Sequence, residues 1–113
     1  MSKRNKNSGR NTGYKSLPIF GSTEDGKIVL GGVYDIHEVY GMPLSPLFSY
    51  LADHNAVPDW IDLYKSAERN GMKHFQILYK IKDSIEDAWG KDFANIVCDR
   101  LTIWKAAKIK EHS

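Results

Sequence analysis

Residues that end or open helices recur at short intervals after Gly32, and their spacing limits what this chain can fold into. Gly41, Asn70-Gly71 and Gly90 are predicted to end helices, and Pro46 and Pro58 are predicted to open them. Between them, apolar side chains recur every three or four positions, which is the period of an amphipathic helix. The pattern predicts five short helices, over about residues 33–40, 45–54, 58–70, 73–89 and 92–108.

The last two predicted helices have the strongest apolar patterns. The fourth carries Phe75, Leu78, Ile81, Ile85, Ala88 and Trp89, and the fifth carries Phe93, Ile96, Val97, Leu101 and Trp104. Faces of this width are stable in water only when they are buried. We expect the two helices to pack together in the core, or to form a contact with a protein partner or a second copy of the chain.

Two short β-prone runs precede the helices. Residues 17–20 (LPIF) and 27–30 (KIVL) flank a polar turn with Asp25-Gly26, a pair typical of β-hairpins. At 113 residues, with 42% hydrophobic and 27% charged side chains, the chain has the size of one globular domain. The sequence predicts a mainly α fold over residues 17–113, a compact bundle of about five short helices with a small N-terminal β-hairpin over residues 17–32.

A basic arm precedes this domain. Its five cations, all of which come before the first carboxylate at Glu24, are Lys3, Arg4, Lys6, Arg10 and Lys15. Residues 1–16 therefore carry +5, while residues 17–113 carry 11 basic and 14 acidic side chains, or −3. With almost no large apolar side chains, the arm is predicted to be disordered when free. Such an arm either binds phosphate backbones or only solubilises the domain, and the sequence leaves both interpretations open.

Residues 35–51 carry the strongest candidate motif. Gly41 separates two short helical segments, and apolar residues flank it at fixed offsets. These residues are Ile36, Tyr40, Met42, Leu47 and Tyr50. Ser45 is a favourable N-cap for the second segment, with Pro46 at the first helical position.

Together these residues resemble a helix-turn-helix unit of the kind found in small phage and bacterial regulators and packaging proteins, over about residues 33–52. The resemblance implies that the five apolar side chains are wedged between the two helices. It also implies an outward, nucleic-acid-facing surface made of Leu44, Ser45, Phe48 and Ser49. His37 departs from the family, which has a small residue there. The outward surface also lacks the basic and amide side chains that read base edges.

A second, poorer match is centred on Gly71. The helix that follows carries four side chains suited to contacting phosphate groups: Lys73, His74, Gln76 and Lys80. Gly71 is equally explained as the C-terminal stop of the third helix, because glycine-linked helix pairs occur in any helical bundle. The segment therefore supplies candidate phosphate-binding side chains, while the sequence leaves open whether it is a second helix-turn-helix unit.

The sequence offers no catalytic, metal or cofactor pattern. The four histidines are scattered, and Cys98 is the only cysteine. Gly31-Gly32 lacks the following GK[ST] of a phosphate loop, and no Cys/His spacing suggests zinc. No apolar run approaches the roughly 18 residues of a membrane span. We expect a noncatalytic, cofactor-free protein of the cytoplasm, meaning the host cytoplasm or the virion if a phage encodes it.

These features predict a nucleic-acid-binding protein of the regulatory or phage-packaging kind, in which residues 35–51 dock and the arm supplies charge. The alternative is a protein–protein adaptor, or a structural subunit of a larger complex or virion. That protein would use helices four and five together with an apolar surface of Leu44, Leu47 and Phe48. The −3 charge of residues 17–113 favours the alternative, because an acidic surface repels a polyanion.

Overall fold

The computed structural model describes residues 17–111, which form five helices and a three-stranded sheet. The helices are α1 (Val33–Tyr40), α2 (Leu44–Asp53), α3 (Trp60–Arg69), α4 (His74–Trp89) and α5 (Lys91–Glu111). The strands are β1 (Ile19–Ser22), β2 (Ile28–Leu30) and β3 (Ala56–Pro58). The mainly helical fold and the five helices confirm the sequence prediction. Residues 1–16 lie outside the described residues, so the predicted disorder of the arm stays a prediction.

The sheet is mixed, and its third strand departs from the sequence prediction. β1 and β2 form the expected antiparallel hairpin, but β3 pairs parallel to β2, with Leu30 opposite Pro58. Pro58 therefore ends a strand and does not open α3. The chain stays extended up to Asp59, whose N–H donates to the carbonyl of Leu30 at 2.8 Å. The Asp59 carboxylate then caps α3 by accepting from the Asp62 N–H at 2.9 Å.

α2 begins one residue before the predicted cap, so the prediction that Ser45 caps it is wrong. Pro43 occupies the N-cap position, and no side chain hydrogen-bonds there. The Ser45 hydroxyl instead donates to Ser84 Oγ at 3.0 Å and lies 3.1 Å from Asp87 Oδ2. Because Ser84 is buried on α4 and needs a polar partner, Ser45 links α2 to α4.

The core lies between α2, α4 and α5, with the sheet and α3 closing it. α2 packs on α4 and on β3, α4 packs on α5, and α1 packs on α3. Four aromatic rings from α2 to α5 meet with centroids 5.6 to 6.1 Å apart: Phe48, Trp60, Trp89 and Phe93. Spacings of this size are typical of favourable ring pairs in protein cores.

The buried faces of α4 and α5 differ in part from the predicted ones. Phe75 is 81% exposed and Ile96 is 47% exposed, while Ile77 and Ala94 are fully buried. Both assignments fit a period of three to four, because α4 has apolar residues on more than one side. The contact with α2 selects the side that carries Ile77.

A one-residue connection makes α4 and α5 antiparallel neighbours. Gly90 adopts φ 98°, a conformation that favours glycine, and α5 begins at the next residue. The last turn of α4 therefore lies beside the first turn of α5, where Trp89 and Phe93 have ring centroids 5.7 Å apart. It follows that the N-terminal end of α4 lies near the C-terminal half of α5.

Candidate nucleic-acid interface

Gly41 lies in a turn between two helices, as the helix-turn-helix resemblance implies, but the five apolar side chains are not packed together between those helices. Gly41 has φ 68°, in the left-handed region that a turn glycine requires. Ile36 and Leu47 are buried as expected, but the three other wedge residues are exposed: Tyr40, Met42 and Tyr50. The prediction that all five pack between α1 and α2 is therefore wrong, because each helix packs mainly on a different neighbour.

The predicted outward face of α2 is also wrong. Phe48 is 0% and Leu44 is 4% exposed, and the Phe48 ring lies 5.6 Å from both Trp60 and Trp89. Positions 44, 47, 48 and 51 form one apolar stripe, and burying that stripe against α4 and β3 removes the most apolar surface from water. Ser45 faces α4, and Ser49 is half-buried. This arrangement equally removes the apolar docking surface that the adaptor alternative placed on α2.

A different cluster of side chains forms where α3, α4 and α5 meet, around the buried Tyr64 ring. The Tyr64 hydroxyl lies 2.8 Å from His74 Nδ1, at the start of α4. The Trp104 ring of α5 packs edge-on against Tyr64 at 5.4 Å. Lys105 Nζ lies 5.8 Å from the centre of the Tyr64 ring, and Lys65 Nζ lies 5.9 Å from the centre of the Trp104 ring. These contacts fix three helices at one end of the molecule.

Six cations lie on the segments that meet at this point, and we call them the cationic end. They are Lys65, Arg69, Lys73, Lys105, Lys108 and Lys110. Residues 64–74 and 104–111 contain two carboxylates, Glu68 and Glu111, so the two segments carry +4. Glu68 accepts a 2.6 Å hydrogen bond from Lys105, and this bond raises the pKa of Lys105.

Carboxylates collect at the opposite end of the α4–α5 pair, in residues 83–92, which we call the acidic end. Residues 83–92 carry four carboxylates, Asp83, Glu86, Asp87 and Asp92, against one cation, Lys91. α4 has 16 residues, so its two ends are about 24 Å apart. That distance exceeds the Debye length of about 10 Å at 0.1 M salt, and the two ends are therefore largely screened from each other. The net charge of −3 for residues 17–113 is therefore an average over unlike regions. The surface is not uniformly acidic, because positive and negative side chains cluster at opposite ends of the α4–α5 pair.

The residues predicted on the segment after Gly71 have different positions. Lys73 belongs to the cationic end, and His74 lies beside it in contact with Tyr64. Gln76 accepts a hydrogen bond from the Lys73 N–H at 2.8 Å and so helps to begin α4. Lys80 is half-buried farther along α4. The arm cations Lys3, Arg4, Lys6, Arg10 and Lys15 lie outside the described residues.

Sequence reasoning missed Lys65, Arg69 and the lysines of α5 as parts of one surface. The lysines at the end of α5 were a visible signal, but a helix dipole explains them equally well. Only the antiparallel packing of α4 and α5 brings the C-terminal half of α5 to α3 and the start of α4.

Among residues 17–111 we also looked for metal ligands, a groove and a reactive thiol. No group of three His, Cys, Asp or Glu side chains in this range is arranged to hold a metal ion. A groove of about 800 Å³ lies between the hairpin turn and α5, lined by Trp60, Phe93, Arg100 and the loop carboxylates Glu24 and Asp25. Asp25 is ion-paired with Lys27 at 2.5 Å, which lowers the pKa of that carboxyl. Burial raises the pKa of the half-buried Cys98 thiol, which disfavours the reactive thiolate.

Comparisons with protein-family models, curated proteins and solved structures find no match for this chain. Within the described residues, no helix combines the length and apolar character needed to cross a membrane.

Proposed function

We propose that this protein binds nucleic acid by contacting phosphate groups with its cationic end, and that the cations of the arm add to the same attraction. The single observation that carries the proposal is the contact of α3, α4 and α5 around Tyr64. It brings together segments that carry six Lys and Arg side chains and two carboxylates. Clustered cations of this kind attract polyanions and release the counterions condensed on them.

The proposed binding is largely independent of sequence. Lysine and arginine contacts to phosphates fix position and orientation but carry no base information. The α2 surface that the helix-turn-helix resemblance implied is buried, so it supplies no base-reading face. Glu68 partly neutralises Lys105 through a salt bridge. Five phosphate contacts on a single strand would give a slope of roughly −3.5 in log affinity against log salt concentration.

Neutralising three cations in two different places tests the proposal. The first variant is Lys65→Gln, Lys73→Gln and Lys110→Gln, at the cationic end. The control variant is Lys82→Gln, Lys91→Gln and Arg100→Gln, with the same loss of charge elsewhere on α4 and α5. Binding to a fluorescent oligonucleotide is followed by anisotropy across a salt series. We expect the first variant to flatten the salt slope by about 2 and the control to leave it close to wild type. Equal effects of the two variants, or no binding by wild type, would contradict the proposal.

Protein docking remains a second candidate, and a feature of α5 favours it. Ile96 and Ile103 lie two turns apart on one side of the helix and are 47% and 69% exposed. Exposed isoleucines at this spacing are typical of a helix that meets a partner. A change of Ile96 and Ile103 to Ser would then abolish partner binding or self-association in sedimentation velocity runs. Unchanged sedimentation across a wide concentration range would exclude self-association through this face.

A further inference from the structure

Two aromatic side chains on α4 have no place in the core. Phe75 and Tyr79 lie one turn apart and are 81% and 83% exposed, the two most exposed large hydrophobic side chains of the described residues. We call them the aromatic pair. Burying either ring in a core would stabilise the fold strongly. Because both rings are instead exposed to water next to each other, they are candidates for binding a ligand.

The aromatic pair adjoins the cationic end. The Phe75 ring lies 5.1 Å from the His74 ring, and His74 in turn contacts Tyr64 at the centre of the cationic end. Lys73 precedes both residues at the start of α4. A ligand that covers Phe75 therefore lies beside the start of α4, where Lys73 is exposed. This position favours an anionic ligand with flat, stackable groups.

The rest of the exposed face of α4 argues against an apolar protein as the occupant. A helix that pairs with another helix continues its apolar seam at every third or fourth position. Beyond Tyr79 those positions are Lys82, Asp83 and Glu86, and Lys82 and Glu86 approach each other at 4.0 Å. The seam is limited to two rings, which is too short for a helix pair but sufficient for two stacked bases.

We propose that the aromatic pair is a stacking platform for the bases of single-stranded nucleic acid whose phosphates contact the cationic end. This inference rests on the proposed function and specifies its substrate class. Bases in a duplex are already stacked and paired, so the rings can reach them only in a single strand. Aromatic faces accept any base, in agreement with binding that is independent of sequence.

The test uses the full chain, a fluorescent oligothymidine and a duplex of equal length at fixed salt. Phe75→Ala and Tyr79→Ala each remove one ring, and Tyr79→Phe keeps the ring. Phe20→Ala is the matched control, because Phe20 is a half-exposed ring beside Gly31 on the sheet. We expect each alanine variant to bind the single strand roughly 5- to 150-fold more weakly, with an unchanged salt slope because no charge is lost. Tyr79→Phe and Phe20→Ala should bind like wild type.

Several outcomes would overturn the inference. One is unchanged single-strand affinity in both alanine variants. Another is an equal loss for duplex and single strand. A third is a shift from dimer to monomer on size exclusion with single-strand affinity intact, which would assign the rings to a contact between copies. The proposed function fails separately, when wild type shows no salt-dependent binding to either nucleic acid.

Discussion

At the scale of single residues, burial separates the aromatic side chains of the core from those at the surface. Phe48 and Phe75 are the same residue type on neighbouring helices, yet one is 0% and the other 81% exposed. Phe48 fills the space between Trp60 and Trp89, while Phe75 contacts His74 at the surface. The two residues therefore make a matched pair for separating stability from binding.

Replacing Phe48 with Ala should lower the free energy of unfolding by about 3–5 kcal/mol, because it removes a ring and leaves a cavity. Phe75→Ala should change the free energy of unfolding by less than about 0.5 kcal/mol, as expected for a surface site. Urea denaturation followed by tryptophan fluorescence measures both values. If Phe48→Ala unfolds at the same urea concentration as wild type, Phe48 is not a core residue.

At the scale of elements, local signals in the sequence predicted each helix. Contacts between elements determined the third strand and the buried faces of α2 and α4. Gly41, Asn70-Gly71 and Gly90 ended helices close to where the sequence predicted. β3 escaped prediction because three residues, Ala56–Pro58, carry no strand signal without their pairing to β2. The faces of α2 and α4 were misassigned for a related reason, since their apolar residues fit more than one side. The cationic end needed the packing of three helices, so Lys73 was the one member that the sequence predicted as a phosphate ligand, together with the neighbouring His74.

Tyr34 connects α1 to the loop between α3 and α4, and its ionisation should weaken that connection. Its hydroxyl donates to Met72 Sδ at 3.3 Å. Burial, followed by the nearby Glu38, raises the pKa of Tyr34 from 10.0 to about 12. A pKa that is higher in the folded state means that the folded protein holds the proton more tightly. The resulting stability is complete below about pH 10 and is lost as the pH rises toward 12.

Tyr34→Phe removes this titrating group, so its free energy of unfolding should fall less between pH 10 and pH 12 than that of wild type. Some decline should remain, because burial also raises the pKa of Tyr64 and the bond to Glu68 raises that of Lys105. Urea denaturation at several pH values from 8 to 12 provides the comparison. Parallel curves for the variant and wild type would show that Tyr34 does not contribute.

At the scale of the whole molecule, the α4–α5 pair carries positive and negative side chains at opposite ends, and the arm adds further positive charge. The segments of the cationic end, residues 64–74 and 104–111, carry +4, and residues 1–16 carry +5. The carboxylates of residues 83–92 begin about 14 Å along α4 from His74, which is still beyond the Debye length of about 8 Å at physiological salt. The net charge of +2 for the whole chain therefore says little about the attraction of its surfaces to a polyanion.

Replacing the five arm cations with Gln, in the full-length chain, should weaken binding at low salt and flatten the salt slope. If all five cations bind phosphates of duplex DNA in the wild type, the replacement would change that slope by up to about 4.5. The melting temperature should stay the same, which serves as the folding control. An unchanged slope would show that the arm only solubilises the protein, the interpretation that the sequence left open.

A titration of isotope-labelled protein with oligothymidine, followed by amide chemical shifts, tests the proposed interface residue by residue. We expect the largest shifts in residues 64–79 and 104–110, with little change in residues 83–92. Little change is also expected along α2, whose apolar face is buried. Shifts concentrated on α2 or at the acidic end, or no shifts at all, would contradict the assignment of the cationic end as the nucleic-acid interface.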